Sequence, residues 1–385
     1  MRYIVTNFAY GTGPYLRTTE LAIALNQRLF ELGRERLGII VPWVYGEKQR
    51  SIMREEFGGY NTVHPGEILL DSHLGVLLRS VFYGNNTYEQ ALSLWVERGD
   101  AASREAQSHL LGILELEDLS GRRVTVAGGE IVLELNRAPR LTYAVAPSYS
   151  ATFAHISAIL RAVLEVPEAE IRVDRELVRR AIPLAERIER LQRLHFVAEP
   201  GTFSYLGTRM RYPNEESSPP IARPLATHNK PLAPGIYVTV TGIPGLERLY
   251  QEARGLGLTI YTNDPEAVPG AKRLLPHVIP NPAIKFQFAR SGWGSIWNSQ
   301  LSGTPFVTPA YDPTDDPEIY FNNRCLEELG LGISYRRESF KKLLELAEAL
   351  RPRIKAINRA ILARFGTYDG NRYIAERIVD RHFTE

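Results

Sequence analysis

Between residues 212 and 235 the sequence runs YPNEESSPPIARPLATHNKPLAPG, with six prolines in one stretch. Proline gives up the backbone donor and fixes φ, so the stretch reads as a stiff linker rather than an element. It divides 385 residues into two parts, each long enough to bury a core of its own. Both parts open with the same grammar. Residues 2–8, RYIVTNF, form an apolar strand, followed by a loop that holds Gly11 and Gly13. Leu16, Thr19, Ile23, Leu25, Leu29 and Leu32 then recur at helical spacing up to Gly33, and LGIIV at 37–41 is a second strand. After the linker, IYVTVT at 236–241 ends at Gly242, and a helix over 244–255 and a strand over 258–262 follow. Strand–helix–strand order predicts parallel sheets covered by helices. Two such halves predict an α/β protein with two open sheets facing a cleft, and ligands at the carboxyl ends of the strands.

The remaining pattern fills in these two Rossmann-like halves. In the first, GEILL at 66–70 is a strand leading into Asp71-Ser72-His73, and helices cover 74–83 and 87–112. RRVTVAGGEIVLEL at 122–135 alternates around a Gly-Gly pair and predicts a hairpin. A strand over 141–146, helices over 149–165 and 174–194 and a strand over 195–198 complete it. The second half adds strands over 277–279, 284–289 and 305–308, helices over 295–302 and 318–329, and a helical region over 338–383. The domains are thus 1–211, a linker over 212–235, and a second domain from 236.

Composition excludes several classes. The chain carries 46 basic and 44 acidic residues, a net charge of +2, which argues against a nucleic-acid binder. Only seven of the basic residues are lysine. Base composition of the coding sequence explains the arginine bias, and so does bidentate anion recognition. One cysteine, Cys325, permits no intrachain disulfide and no thiolate metal cluster. The eight histidines are scattered without H-E-x-x-H, so no metal site is expected. No apolar run reaches transmembrane length, and the first residues lack the apolar core of a signal peptide, so the cytoplasm is the expected compartment. Residues 74–83, LGVLLRSVFY, read as a buried helix and leave room for peripheral membrane contact.

Three motifs carry chemistry. Gly11-Thr12-Gly13 joins a strand to a helix, where missing Cβ atoms and free amides suit an anion. An ordinary strand-to-helix turn has the same sequence. Asp71 and His73 follow a strand at the edge where ligands gather, although a helix cap explains Asp71 equally well. The richest segment is FARSGWGSIWNSQLSGTPFVTPAYDPTDDPEIYFNNRCLEELGLG, residues 288–332. A strand delivers Arg290, Ser291, Gly292, Trp293, Gly294 and Ser295 to a helix start. Two glycines allow close approach, two hydroxyls donate, and Arg290 suits a diphosphate. Asp315, Asp316 and Glu318 then precede Asn322 and Asn323, and the carboxylate nearest the helix start is expected to accept from sugar hydroxyls.

This segment resembles the donor-binding signature of nucleotide-sugar glycosyltransferases of the GT-B fold. That signature runs His-Cys-Gly-Trp-Asn-Ser, Gly-Thr/Val-Pro, Asp-Gln and Asn-Ala. Gly292, Trp293, Ser295, Gly303, Pro305 and Asn322 match it. The loop GTGPYLRTTELAIAL looks like the Gly-Thr-Gly-Gly-His loop of the peptidoglycan lipid glycosyltransferase, and DGNRYIAERIVDRHF is similar to the family's closing helix. The resemblance implies transfer of a sugar from a nucleotide diphosphate, with inversion. The acceptor, a small molecule or a lipid, is held by the N-terminal domain. The same resemblance implies that the nucleotide sugar is held over 236–365, by Gly242, the 290–295 turn, Glu318 and Asn322, with Gly11 and Gly13 of the first loop as further donor-binding candidates. It also implies that residues 366–385 cross back to the first domain. No cofactor beyond the donor is implied.

The departures are specific. The family's donor-motif His is Arg290 here, its Asp-Gln falls on Glu318-Ile319, and its N-terminal base falls on Tyr15. Tyrosine titrates near pH 10, so Tyr15 is a poor base at neutral pH, and Asp71 and His73 are the other candidates. Arg290 is expected to face the ligand rather than a carboxylate. With Arg290 and a helix N-terminus supplying positive charge, no divalent metal is expected. A nucleotide-sugar 2-epimerase and a non-catalytic nucleotide-sugar-binding or auxiliary protein are the alternatives.

Overall fold

The computed structural model describes residues 1–9, 12–83, 87–207, 210–226, 229–239 and 246–383. Gly11 and Gly242 lie outside the described residues. The chain forms two compact units: Met1–Ala198, Met210–Ser218 and Asn371–Glu385 make the first, and Glu199–Arg209 with Pro219–Gly370 make the second.

The first unit is built from β1 (Tyr3–Phe8), α1 (Thr12–Glu31), β2 (Gly38–Pro42), α2 (Glu47–Val63), β3 (Ile68–Asp71), α3 (Ser72–Phe82) and α4 (Tyr88–Leu110). It continues with β4 (Ile113–Asp118), β5 (Arg123–Ala127), β6 (Ile131–Arg137), β7 (Ser148–Thr152), α5 (Ile156–Glu165), α6 (Arg175–Arg190), β8 (Leu194–Ala198) and β9 (Glu215–Ser218). The nine strands are ordered β5-β4-β3-β2-β1-β6-β7-β8-β9. All neighbours are parallel except β3–β4 and β4–β5. β1, β2 and β3 are wholly buried, which is why they read as continuous apolar runs rather than alternating ones. Strand order reverses between β1 and β6, so their carboxyl ends form the switch point of this sheet.

The second unit contains β10 (Gly235–Val238), α7 (Glu247–Gly255), β11 (Thr259–Thr262), β12 (Lys272–Arg273), β13 (Ile284–Phe288), α8 (Trp293–Leu301), β14 (Phe306–Pro309), α9 (Pro317–Leu329), β15 (Gly332–Tyr335) and α10 (Phe340–Phe365). Its six parallel strands run β12-β11-β10-β13-β14-β15, so the switch point lies between β10 and β13. Ile236, Val238, Phe286, Phe288 and Val307 pack under α7 and α10 through Leu249, Phe340 and Leu343. The last helix, α11 (Gly370–His382), buries Ile374, Ala375, Ile378 and Val379, and His382 Nδ1 lies 3.4 Å from the Tyr149 hydroxyl of β7.

Several elements differ from expectation. The alternating 122–135 stretch is not a hairpin. β5 pairs with β4 at the sheet edge, while β6 crosses to the centre between β1 and β7. Gly128 explains the break, since a Cβ there would lie 1.8 Å from the Leu110 carbonyl oxygen. Residues 141–146 form no strand, and 149–152 belong to β7 rather than to a helix. Pro276–Val278 is a single 3-10 turn. Within the proline-rich stretch, Glu215–Ser218 pairs with β8 as the edge strand β9. Prolines tolerate edges because an edge has no further ladder to donate to. The apolar residues of α3 are committed to the core, Leu74, Leu77, Leu78, Val81 and Phe82 being buried. Val76 is exposed there, and a membrane contact over 74–83 has little else to use. No helix among the described residues is long and apolar enough to cross a membrane.

Candidate functional site

In the second unit, β13 ends at the switch point and the chain turns through Arg290, Ser291 and Gly292 into α8. Gly292 is the N-cap of α8, in extended backbone, and no side chain caps the helix. A Cβ at Gly292 would meet nothing within 4 Å, so the space in front of the helix start is open. Backbone bonding resumes with the Ser295 and Ile296 amides, which donate to the Gly292 carbonyl at 3.0 and 3.1 Å. Uncapped amides at a helix start are a ready anion site. Ser295 is half-buried in the first turn.

The turn is fixed from α9. Asn322 is fully buried, and its amide nitrogen donates to the Ser291 carbonyl at 2.7 Å and to Glu318 Oε1 at 3.1 Å. Its oxygen accepts from Trp293 Nε1 and from the Thr202 hydroxyl, each at 2.8 Å. The buried Ser291 hydroxyl donates to Asn323 Oδ1. Ser291, Trp293 and Asn322 thus have side chains committed to the interior, where they fix the backbone of the turn, and the Ser291 hydroxyl expected to donate to a ligand is engaged by Asn323. Glu318 holds Asn322, one turn away on the same helix.

Arg290 also departs from expectation. Its guanidinium contacts Asp315 Oδ1, with both side chains about one-third exposed. Asp315 Oδ1 accepts from the Asp316 amide as well, at 2.7 Å. The pair was illegible in sequence because it joins two loops 25 residues apart. Arg290 Nε is buried and has no hydrogen-bond partner among the described residues.

In the first unit, Asp71 ends β3 and caps α3, its Oδ1 accepting from the Leu74 amide at 2.9 Å. Its Oδ2 lies 2.8 Å from His109 Nε2, a partner that sequence reasoning missed. The Asp71 side chain is 1% exposed and that of His109 18%. The contact fixes the ring through Nε2 and leaves Nδ1 on the side away from the carboxylate. His73 stacks on His109 with ring centroids 4.1 Å apart, and its Nε2 lies 3.8 Å from Glu105 Oε1. Only an i,i+4 relation between Glu105 and His109 hinted at this face of α4.

Tyr15 has no comparable role. It is fully buried on α1 between Phe8 and Tyr45, each ring centroid 6.0 Å away. Burial, with a smaller contribution from Tyr45, pushes its hydroxyl above the ordinary tyrosine value. A hydroxyl raised in this way is a poor base near neutral pH. Gly13 lies inside the first turn of α1 rather than in a loop, exposed and with nothing near its Cβ position. Among the described residues no group of three or more His, Cys, Asp or Glu is arranged to hold a metal.

No family model matches the sequence, and no curated protein matches it. Solved structures do. A glycosyltransferase of kitacinnamycin superimposes with a TM-score of 0.58 at 12% identity over 99% of each chain. A UDP-glucosyltransferase from Polygonum tinctorium, capable of glucosylating indoxyl, gives 0.61 at 13% identity over 100% of this chain and 99% of its own. An enzyme from Medicago truncatula complexed with UDP-glucose gives 0.55 at 14% identity over 98% of each. The chain therefore has the GT-B fold of the nucleotide-sugar glycosyltransferases.

Proposed function

We propose that the protein transfers a sugar from a nucleotide diphosphate sugar, with the diphosphate at the start of α8. The observation that carries this reading is the open, uncapped helix start at the β10/β13 switch point, with Arg290 beside it. Amides there neutralise a leaving diphosphate without reorganising, which is what stabilises charge as it develops. The neighbouring structures are transferases, which favours transfer over epimerisation. Inversion, independence from divalent metal and the lack of a cofactor beyond the donor belong to the same proposal. His109, oriented by Asp71, is the base that the first unit offers.

In this reading Asp315 occupies Arg290 until a diphosphate replaces it. Arg290→Ala should weaken UDP binding by roughly 1.5–3 kcal/mol, the range for charge-assisted hydrogen bonds. Asp315→Asn should tighten it, because the competing carboxylate is gone. Calorimetric titration of the three proteins with UDP tests both signs. Equal affinities would place the donor elsewhere. Donor turnover that is lost in EDTA and restored by Mg²⁺ would remove the metal-independent form of the proposal.

A further inference from the structure

Between β6 and β7 the chain passes from one parallel strand to the next over residues 138–147, with no helix. Such a crossover ordinarily takes a dozen residues or more and lays a helix on the sheet. Here a bare strap runs alongside α4. Trp95 Nε1 donates to the Arg140 carbonyl at 2.5 Å, the Thr142 amide to Ser103 Oγ at 3.3 Å, and Gln107 Nε2 to the Ala144 carbonyl at 3.1 Å. From beneath, Asn7 Nδ2 donates to the Leu141 carbonyl at 2.9 Å. Ala138 and Ala144 have φ of 49° and 51°, the left-handed region that L-alanine rarely enters. Strain of this kind persists only where the surroundings over-determine it, and it gathers at ligand sites.

The strap, α4 and α6 border an open pocket of about 270 Å³, lined among others by Asp100, Ser103, Arg104, Gln107, Thr142 and Arg187. Arg187 is paired with Asp100. Arg104 is exposed at the rim and makes no hydrogen bond or ion pair among the described residues. Ser103 Oγ already accepts from the strap, so its O–H is what it presents to the pocket. Gln107 has committed its NH₂ to the strap, so its carbonyl oxygen remains as an acceptor. A free planar cation, a hydroxyl donor and an amide acceptor thus lie within about one turn of α4, and strained backbone holds the opposite wall.

We propose that this pocket binds a small hydroxylated molecule through an anionic group, carboxylate or phosphate. The anion pairs with Arg104 and accepts from Ser103, and a ligand hydroxyl donates to Gln107. This site is separate from the turn at Arg290, and it does not depend on sugar transfer. Backbone-amide NMR titration of the full chain tests it, with D-gluconate, inorganic phosphate and uncharged sorbitol as probes. Gluconate or phosphate should shift the Thr142 and Ala144 amides saturably, and sorbitol should not. The tighter of the two anions identifies the group recognised. Arg104→Ala, on the surface, should weaken binding by about tenfold or more, as expected for loss of a charged hydrogen-bond donor. Arg359→Ala, an exposed arginine of α10, should leave it unchanged. No saturable shift with either anion, or shifts that survive Arg104→Ala, would overturn the proposal.

Discussion

Glu134 sits in β6 with no exposed surface, and its Oε1 accepts from Asn7 Nδ2 at 3.0 Å. Its Oε2 is buried without a partner among the described residues. Burial disfavours the charged form and outweighs the hydrogen bonds from Asn7 and the Tyr143 amide, pushing the carboxyl up to about 7. The folded state therefore keeps a proton that the unfolded chain releases above pH 4.5. Stability should fall as pH rises from about 4.5 to about 7 and level off beyond, costing about 3 kcal/mol in all. Glu134→Gln retains the acceptor for Asn7 and removes the titration. Urea unfolding at pH 5 and pH 8 should show the variant gaining on the wild type at the higher pH, and parallel pH profiles would rule the assignment out. Residues like this were illegible in sequence, where Glu134 looked like one polar position in an alternating strand. The Arg290–Ser295 turn was legible because its meaning is local: strand, glycine, helix start. Asp315 and His109 were not, since each acts on a residue dozens of positions away and nothing in local spacing marks the pair.

At the scale of elements, the strap over residues 138–147 is where local preference and tertiary demand conflict most. An alanine in left-handed backbone costs about 1–2 kcal/mol, so two of them form a sizeable local debt. Ala144→Gly removes the steric term and adds unfolded-state entropy, so it should be neutral or slightly stabilising. Ala144→Val forces a β-branched side chain into the same backbone and should destabilise by about 2 kcal/mol or more. Chemical denaturation of the two variants distinguishes them, and a valine as stable as the glycine would mean that the strap is relaxed. Apolar runs bounded by glycine located β1, β2, β10, β11 and β13 because buried parallel strands are continuous in sequence. Periodicity misplaced β5 and β6 for the same reason. Alternation reports which faces are covered, and it cannot tell a hairpin from two strands in different parts of one sheet.

For the whole molecule, the covalent path is more telling than either sheet. The chain leaves the first unit after Ala198, contributes Glu199–Arg209 to the second, returns for Met210–Ser218, and leaves again. The proline count marked one of these passages and could not show that there are several. The short first visit matters to the second unit's core. Trp297 Nε1 donates to the Pro200 carbonyl at 2.9 Å, Trp293 Nε1 to the Thr202 hydroxyl at 2.9 Å, and Cys325 Sγ to the Gly201 carbonyl at 3.1 Å. All three donors belong to side chains that are essentially fully buried. Removing the segment exposes the tryptophans and takes away the acceptors of Trp297 Nε1 and Cys325 Sγ, at about 1–3 kcal/mol for each lost partner, while Trp293 Nε1 keeps Asn322 Oδ1. That sum is comparable with the roughly 5–15 kcal/mol that holds a whole domain together. A fragment of residues 219–370 should therefore fail to fold, although it contains every strand of the second sheet. A fragment of residues 199–370 restores the segment, and it should unfold cooperatively. If the diphosphate site lies at the start of α8, that longer fragment should also bind UDP with nearly the affinity of the full chain. Circular dichroism melts and calorimetric titration of both fragments decide the matter. Cooperative folding of 219–370 would show that the segment is dispensable, and a folded 199–370 that ignores UDP would move the donor site out of the second unit.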